Sequence, residues 1–249
     1  PTIWNKAYNS EKIKEAFENM HEYYINLYED TCESIIISYY CRNIKQLNFI
    51  GINYLNLNDG ISTELKNYNK NIKAIASDIA EGPLNQAREN IKREGLEDKI
   101  EVRLGNGLDT YTDEVNTIII SGMGGRNMIG IFKNNMKVLK NIDTIILSPN
   151  NYQIDVKKFL VKNGFYIDDE ELVKDKKFIY QIIKFKKGKR HYSRKEYFFG
   201  PVLLQKKGAL FEEYYKREKL SREILISILP KNYRYKKFIT KREIKMIED

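Results

Sequence analysis

The sequence predicts an α/β protein: a mostly parallel, doubly wound sheet over residues 1–188, closed by an antiparallel terminal hairpin, then a basic helical domain over 189–249. Three observations predict it. Short apolar runs alternate with amphipathic stretches from Ile72 to Phe185, as strand–helix units do. The run Ile118-Ile119-Ile120 is apolar throughout, as a strand covered on both faces must be. Beyond Lys189 few Gly or Pro fall inside the pattern, the period turns helical, and basic residues dominate.

In chain order, Ile13, Phe17, Met20, Tyr24 and Leu27 recur at helical spacing behind Ser10, which suits an N-cap, so 10–28 reads as an amphipathic helix. The runs Ser34–Tyr40 and Leu47–Ile52 are each apolar enough for a strand. Residues 53–71 are Asn-rich and carry little pattern. A strand from Ile72 ends at Asp78. The next helix has Pro83 in its first turn, Leu84, Ala87 and Ile91 on one face, and Gly95 as its stop. Ile100–Leu104 and Val115–Ser121 read as strands, Met128–Leu139 as a helix, and Thr144–Ser148 as a strand ended by Pro149. Ile154–Val161 reads as a helix closed at Gly164, and Tyr166–Leu172 pairs with Phe178–Phe185 as a hairpin across Lys174–Lys177. In the tail, Leu203, Leu204, Leu210, Phe211 and Tyr214 fit one helix face. Leu220, Ile224, Ile228 and Leu229 fit a second segment ended by Pro230, which suggests an antiparallel pair.

The chain of 249 residues carries 43 Lys and Arg against 34 Asp and Glu, a net charge of +9. From Lys184 onward the count is 20 against 8, a balance of +12, which leaves 23 against 26, or −3, for the rest. A polyanionic partner for the tail follows, with nucleic acid ahead of a membrane surface; the alternative is a solvated basic helix. No apolar run approaches a membrane span. Pro1–Ser10 has neither the basic nor the apolar segment of a secretory leader, so a cytoplasmic protein is expected. Cys32 and Cys41 make neither a disulfide framework nor a zinc site, and no metal is expected. His21 and His191 read as surface residues.

Four strand ends carry residues of chemical interest. Asp78 can accept from a ribose diol, or cap the following helix. Leu104-Gly-Asn-Gly-Leu108 allows close backbone approach, and the Asn106 carboxamide can read an adenine edge; a plain turn is the alternative. Ile120-Ser-Gly-Met-Gly-Gly125 places three glycines in four positions. No Gly-Lys-Ser/Thr follows, so it is no Walker loop. Asn127 stands where the dinucleotide fingerprint needs its third glycine, and Asp143 begins rather than ends the next strand, so a nicotinamide enzyme is a poor fit. Ser148-Pro-Asn-Asn-Tyr152 offers a carboxamide and a backbone carbonyl for an amino group, and a ring to stack a base; a capped loop is the alternative.

In this order, Ala74-Ile-Ala-Ser-Asp-Ile-Ala-Glu-Gly-Pro-Leu84, Val102-Arg-Leu-Gly-Asn-Gly-Leu108, Ile120-Ser-Gly-Met-Gly-Gly125 and Leu147-Ser-Pro-Asn-Asn151 resemble the bacterial tRNA (adenine-N1) methyltransferases that modify position 22. Phe199-Gly-Pro-Val-Leu-Leu204 followed by Phe211 resembles that family's entry into a helical, coiled-coil-like domain. The resemblance implies a Rossmann-like class I methyltransferase sheet, S-adenosyl-L-methionine as cofactor and tRNA as partner. It implies that Asp78, Ile79, Gly105, Asn106, Gly107, Ser121, Gly122, Met123 and Gly51 border the cofactor, and that Pro149, Asn150 and Asn151 face the target base. It also implies that Tyr152, Lys206, Lys207, Arg217 and Arg222 hold RNA. One departure stands out. The family's first strand ends in a segment like Asp-Ile-Gly-Ser/Thr-Asp-His-Ala-Tyr-Leu-Pro, for which Phe49-Ile-Gly51 and Tyr54-Leu55 are a degenerate echo without the acids or the His. Two alternatives therefore stay open beside an active tRNA methyltransferase: a non-catalytic RNA-binding protein on a degenerate scaffold, and a methyltransferase for a protein or small molecule.

Overall fold

The computed structural model describes residues 48–52, 73–113, 115–175 and 177–249. The helix expected over 10–28 and the strand considered at Ser34–Tyr40 lie outside these residues. The described residues fall into two units, 48–205 and 206–249.

The first unit is built on seven strands: β1 (Asn48–Ile52), β2 (Lys73–Asp78), β3 (Ile100–Leu104), β4 (Thr117–Ser121), β5 (Thr144–Ser148), β6 (Phe165–Asp175) and β7 (Phe178–Lys187). They stand in the order β3-β2-β1-β4-β5-β7-β6. The first five are parallel; β7 runs antiparallel to β5, and β6 antiparallel to β7. The expected mixed sheet is therefore present, in a Rossmann-like methyltransferase arrangement. β1 is the centre, paired on both sides: Gly51 is in register with Ala76 of β2 and Ile119 of β4. Chain order reverses between β1 and β4, which opens a crevice at the carboxyl ends of these strands.

Burial explains why the sequence pattern is so clear. Ile118, Ile119 and Ile120 are all buried, as are Ile145, Ile146 and Leu147 in the neighbouring strand, so both faces of the sheet are covered. Helix α1 (Glu81–Glu94) packs Leu84, Ala87 and Ile91 inward, each large side chain adding about 1.5–3 kcal/mol. Gly95 ends it at φ 64° and donates back to Lys92 O. Helices α2 (Gly125–Asn134) and α3 (Gln153–Lys162) bury Met128, Phe132, Val156 and Leu160 in the main core.

Several bounds differ from expectation. The strand expected from Val115 pairs only from Thr117. The helix expected over Met128–Leu139 begins at Gly125, because the Gly124 carbonyl already accepts from the Asn127 and Met128 N–H groups. It ends at Asn134: the next residue's Asn135 Nδ2 donates to Ile131 O, and Val138–Lys140 is a separate short turn. The hairpin strands run longer than expected, pairing from Phe165↔Lys187 to Asp175↔Phe178.

After the sheet come α4 (Arg194–Phe199) and α5 (Pro201–Lys206). Ser193 and Glu196 form a reciprocal capping box on α4. A fully buried ion pair ties this region to the sheet. Lys157 Nζ of α3 lies 2.7 Å from Glu170 Oε1 of β6, both side chains 0% exposed, though off the angle of a good hydrogen bond. Glu170 also accepts from Gln181 Nε2 of β7 at 3.3 Å and from the Val202 N–H of α5 at 3.1 Å. Burial pushes the Lys157 pKa down, and the charge of Glu170 opposes that shift.

The second unit contains α6 (Ala209–Ile228) and α7 (Arg234–Glu248). The two tail segments expected from the pattern divide elsewhere: the break falls at Lys207–Gly208, and the chain is continuously helical through Leu220. Its i,i+4 pairs Glu213–Arg217 and Glu218–Arg222 favour that continuity. Lys219 meets Glu248 at 2.8 Å and Arg222 meets Glu243 at 3.0 Å. Partners advance along one helix as they retreat along the other, so α6 and α7 form the antiparallel pair.

Candidate functional site

Five strand ends, Ile52, Asp78, Leu104, Ser121 and Ser148, share one edge of the sheet by register. At β2, Asp78 does not cap the helix; Ala80 holds that position without a side-chain cap. Asp78 Oδ1 instead accepts from the Ala80 N–H at 2.9 Å, and no described residue bonds Oδ2. Beside this carboxylate Ile79 is 70% exposed, an apolar side chain left against solvent.

The β3 loop is fixed to β2. The Gly105 N–H donates to Asp78 O at 2.9 Å, and Ser77 Oγ donates to Gly107 O at 3.3 Å. Gly107 adopts φ 63°, and a Cβ there would stand 2.9 Å from Ile131 Cγ2 of α2, so glycine is required twice over. Asn106 is exposed at the rim.

The β4 and β5 loops are stitched together. Asn150 N–H donates to Met123 O at 3.1 Å, and Asn150 Nδ2 donates to Gly122 O at 2.7 Å. The Gly125 N–H donates to both Asn151 O and Asn151 Oδ1 at 3.2 Å. A carbonyl can only accept, so Gly122 O fixes the Asn150 amide with Nδ2 inward, and no described residue bonds its Oδ1. Asn151 is in the opposite position: its oxygen is spent on the loop. A Cβ at Gly125 would stand 2.5 Å from Asn151 O, which is why this loop ends in a second glycine. Pro149 is buried, and its carbonyl accepts from Gln153 Nε2 at 3.1 Å.

Tyr152 begins α3 at φ 54°, an uncommon conformation for a residue with a Cβ, and is 43% exposed. The Arg126 guanidinium lies over its ring, 4.1 Å from the centroid. Sequence reading had passed over Arg126; its place directly after the glycine loop was the available signal.

The structure thus gathers Gly51, Asp78, Ile79, Gly105, Asn106, Gly107, Ser121, Gly122, Met123, Pro149, Asn150, Asn151 and Tyr152 at the carboxyl side of one sheet. Lys206, Lys207, Arg217 and Arg222 belong to the second unit. Lys206 and Lys207 are exposed there, whereas Arg217 pairs with Glu213 and Arg222 with Glu218 and Glu243. Among the described residues no group of three His, Cys, Asp or Glu could hold a metal ion, and no helix is long and apolar enough to cross a membrane.

The model of the TrmK family, tRNA (adenine(22)-N(1))-methyltransferase, matches residues 61–249. The chain belongs to this family. A Bacillus subtilis tRNA (adenine(22)-N(1))-methyltransferase is 28% identical over 152 residues, 58% of this chain and 64% of that relative, so the match spans less than two thirds of its length. A Streptococcus agalactiae protein of the NADB-Rossmann superfamily superposes at TM-score 0.76 with 28% identity, over 87% of this chain and 94% of that one. A Streptococcus pneumoniae protein solved in complex with S-adenosyl-L-methionine superposes at TM-score 0.74 with 25% identity, over 88% and 97%. The family match begins at residue 61, after β1, and spans the strand ends from Asp78 onward and the helical tail.

Proposed function

We propose that the chain transfers a methyl group from S-adenosyl-L-methionine to N1 of adenine 22 in tRNA, with the crevice between β1 and β4 as its site. The observation that carries this reading is the stitched pair of loops, which fixes the Asn150 carboxamide with an acceptor oxygen left over at the sheet edge. The residues present fit the cofactor: Asp78 has a carboxylate oxygen that no described residue bonds, suited to a ribose diol, next to the exposed apolar Ile79. The cofactor supplies an electrophilic methyl on a sulfonium. The chain's own task is to align the base and exclude water.

N1 lies on the Watson–Crick edge, so the adenine must leave its stack to reach the site. Asn150 Oδ1, with the Pro149 carbonyl, accepts from the adenine amino group and so presents the neighbouring N1 lone pair. Tyr152 offers a ring for the base to stack on. Asn151 holds the loop rather than the base. Gly105 and Gly107 hold the β3 loop close to β2, and Asn106 lines the adenine side of the cofactor. Lys206 and Lys207 meet tRNA phosphates, and the cytoplasm is the compartment where this substrate occurs.

The test is calorimetric titration of the chain with S-adenosyl-L-methionine, with Asp78→Ala beside it, followed by methyl transfer to tRNA carrying adenine or guanine at position 22. Saturable binding that the variant loses, and transfer to the adenine form alone, support the reading. No binding to the folded chain overturns it and favours an RNA-binding protein on a degenerate scaffold. Transfer to other acceptors but not to tRNA points to a different methyltransferase.

A further inference from the structure

Helix α7 gathers basic and aromatic residues on one face. At 3.6 residues per turn, Arg234, Tyr235, Phe238, Lys241, Arg242 and Lys245 fall within about a third of the circumference. All six are exposed, Tyr235 at 79% and Phe238 at 55%. Of the acids of the helix, Glu243 lies on the opposite side and Glu248 at the edge of this face, and they reach across to Arg222 and Lys219 of α6. No described residue forms an ion pair with the four basic residues of the outward face, and Arg242 lies over the Phe238 ring at 5.7 Å from its centroid.

Two large rings left in water among cations without counter-charges have no structural explanation within the described residues. One exposed ring on a solvated helix face is ordinary, but two on the same side among four unpaired cations go beyond that. A helix lying in a membrane would need a broad apolar face, and this one offers two rings among four cations. Bases stacked on aromatic rings with phosphates between them need this combination. The rings are three residues apart, on the same side of the helix and about 4.5 Å apart along its axis.

We infer that the outward face of α7 binds unpaired nucleotides of RNA, with Tyr235 and Phe238 stacking two bases while Arg234, Lys241, Arg242 and Lys245 neutralise the flanking phosphates. The inference rests on the tRNA reading above and adds to it the contact that recognises single-stranded segments of that substrate. It moves RNA contact away from Arg217 and Arg222, whose guanidinium groups are engaged by Glu213, Glu218 and Glu243.

The experiment is equilibrium binding of the full chain to a tRNA transcript, to duplex RNA of equal length and to phosphatidylserine vesicles. Its variants are Tyr235→Ala/Phe238→Ala, Tyr235→Trp/Phe238→Trp and Arg242→Gln/Lys245→Gln, each checked for unchanged thermal unfolding. The alanine pair is expected to weaken tRNA binding at least tenfold, to leave the salt dependence and duplex binding unchanged, and the tryptophan pair to bind as the parent does. The glutamine pair is expected to lower the log–log salt slope by about 1.4–1.8. Parent-like tRNA affinity in the alanine pair overturns the inference, as does a loss seen only on vesicles. Methyl transfer measured on the same preparations separates the two readings. Aromatic-dependent tRNA binding without transfer overturns the enzymatic reading and leaves this one standing. Transfer with an unchanged kcat/KM in the alanine pair overturns this one alone.

Discussion

At the scale of single residues, the strand-end loops assign different tasks to neighbouring side chains of one type. Asn150 and Asn151 are adjacent and chemically identical, yet Gly122 O orients the first outward and the Gly125 N–H consumes the oxygen of the second. Asn150→Ala removes both the tie and the free acceptor. Its expected effect is a fall of about 10²-fold in kcat, from misplacement of the base, with cofactor affinity within a few-fold of the parent. Steady-state kinetics at saturating cofactor measures both. Arg126 covers the Tyr152 ring at 4.1 Å, and in the proposed site it acts through that ring. An exposed pair of this kind is worth about 0.5–1 kcal/mol, so Arg126→Ala is expected to raise the KM for tRNA two- to fivefold and leave kcat nearly unchanged. A fall in kcat without a change in KM would argue against that role. The type of each residue was readable in the sequence. Which of two asparagines keeps its oxygen was not, because that is decided by a carbonyl 28 positions away from the first and an N–H 26 positions away from the second.

At the scale of elements, the strands most legible in the sequence are those buried on both faces. Ile118–Ile120 and Ile145–Leu147 read as unbroken apolar runs because no position of theirs meets water. β1 was harder to recognise: its run is short, it competed with Ser34–Tyr40, and the acids and His that mark such a strand end in the family are missing. Its centrality comes from pairing on both sides, which only the fold reveals. The i,i+4 glutamates beside Arg217 and Arg222 were visible in the sequence and already pointed to engaged rather than free guanidinium groups. The β6–β7 hairpin supplies a prediction at this scale. Asp168 of β6 meets Lys184 at 3.1 Å and Lys186 at 3.2 Å, both on β7. Burial pushes its carboxyl upward, but hydrogen bonds and charge from the two lysines outweigh that and hold it below its ordinary value of 3.8. A carboxylate with a depressed folded pKa stabilises the fold above its unfolded pKa, and that stability is lost as pH falls through the folded value. Thermal unfolding of the parent is therefore expected to drop more steeply below about pH 4 than that of Asp168→Asn. Parallel acid limbs would dissociate this pair from hairpin stability.

At the scale of the whole molecule, the Lys157–Glu170 pair decides how the segment after the sheet is held. Lysine on an amphipathic helix reads as a solvent-facing residue, and its partner lies 13 positions on in a strand, so no local pattern signals the pair. Burying both charges has a desolvation cost that the pair only partly recovers, but removing one partner leaves the other stranded. Glu170 also receives the Val202 N–H, so its charge links α3, β6, β7 and α5 at one point. Glu170→Gln keeps the volume and an acceptor oxygen and removes only the charge. The variant is expected to lose about 3–5 kcal/mol near neutral pH. The pH dependence of that loss identifies its cause. Burial already pushes the Lys157 pKa down, and without the charge of Glu170 the main opposition to that shift is gone, so the folded variant sheds the proton below the ordinary 10.5. The unfolded chain then holds more protons than the folded one between the two values, and stability rises with pH across that window. The gap in thermal unfolding temperature between parent and variant should accordingly narrow from pH 7 toward pH 10. A gap that stays constant with pH would mean that the loss comes from packing or from the Val202 contact, and that the charge of Glu170 is not what anchors this segment.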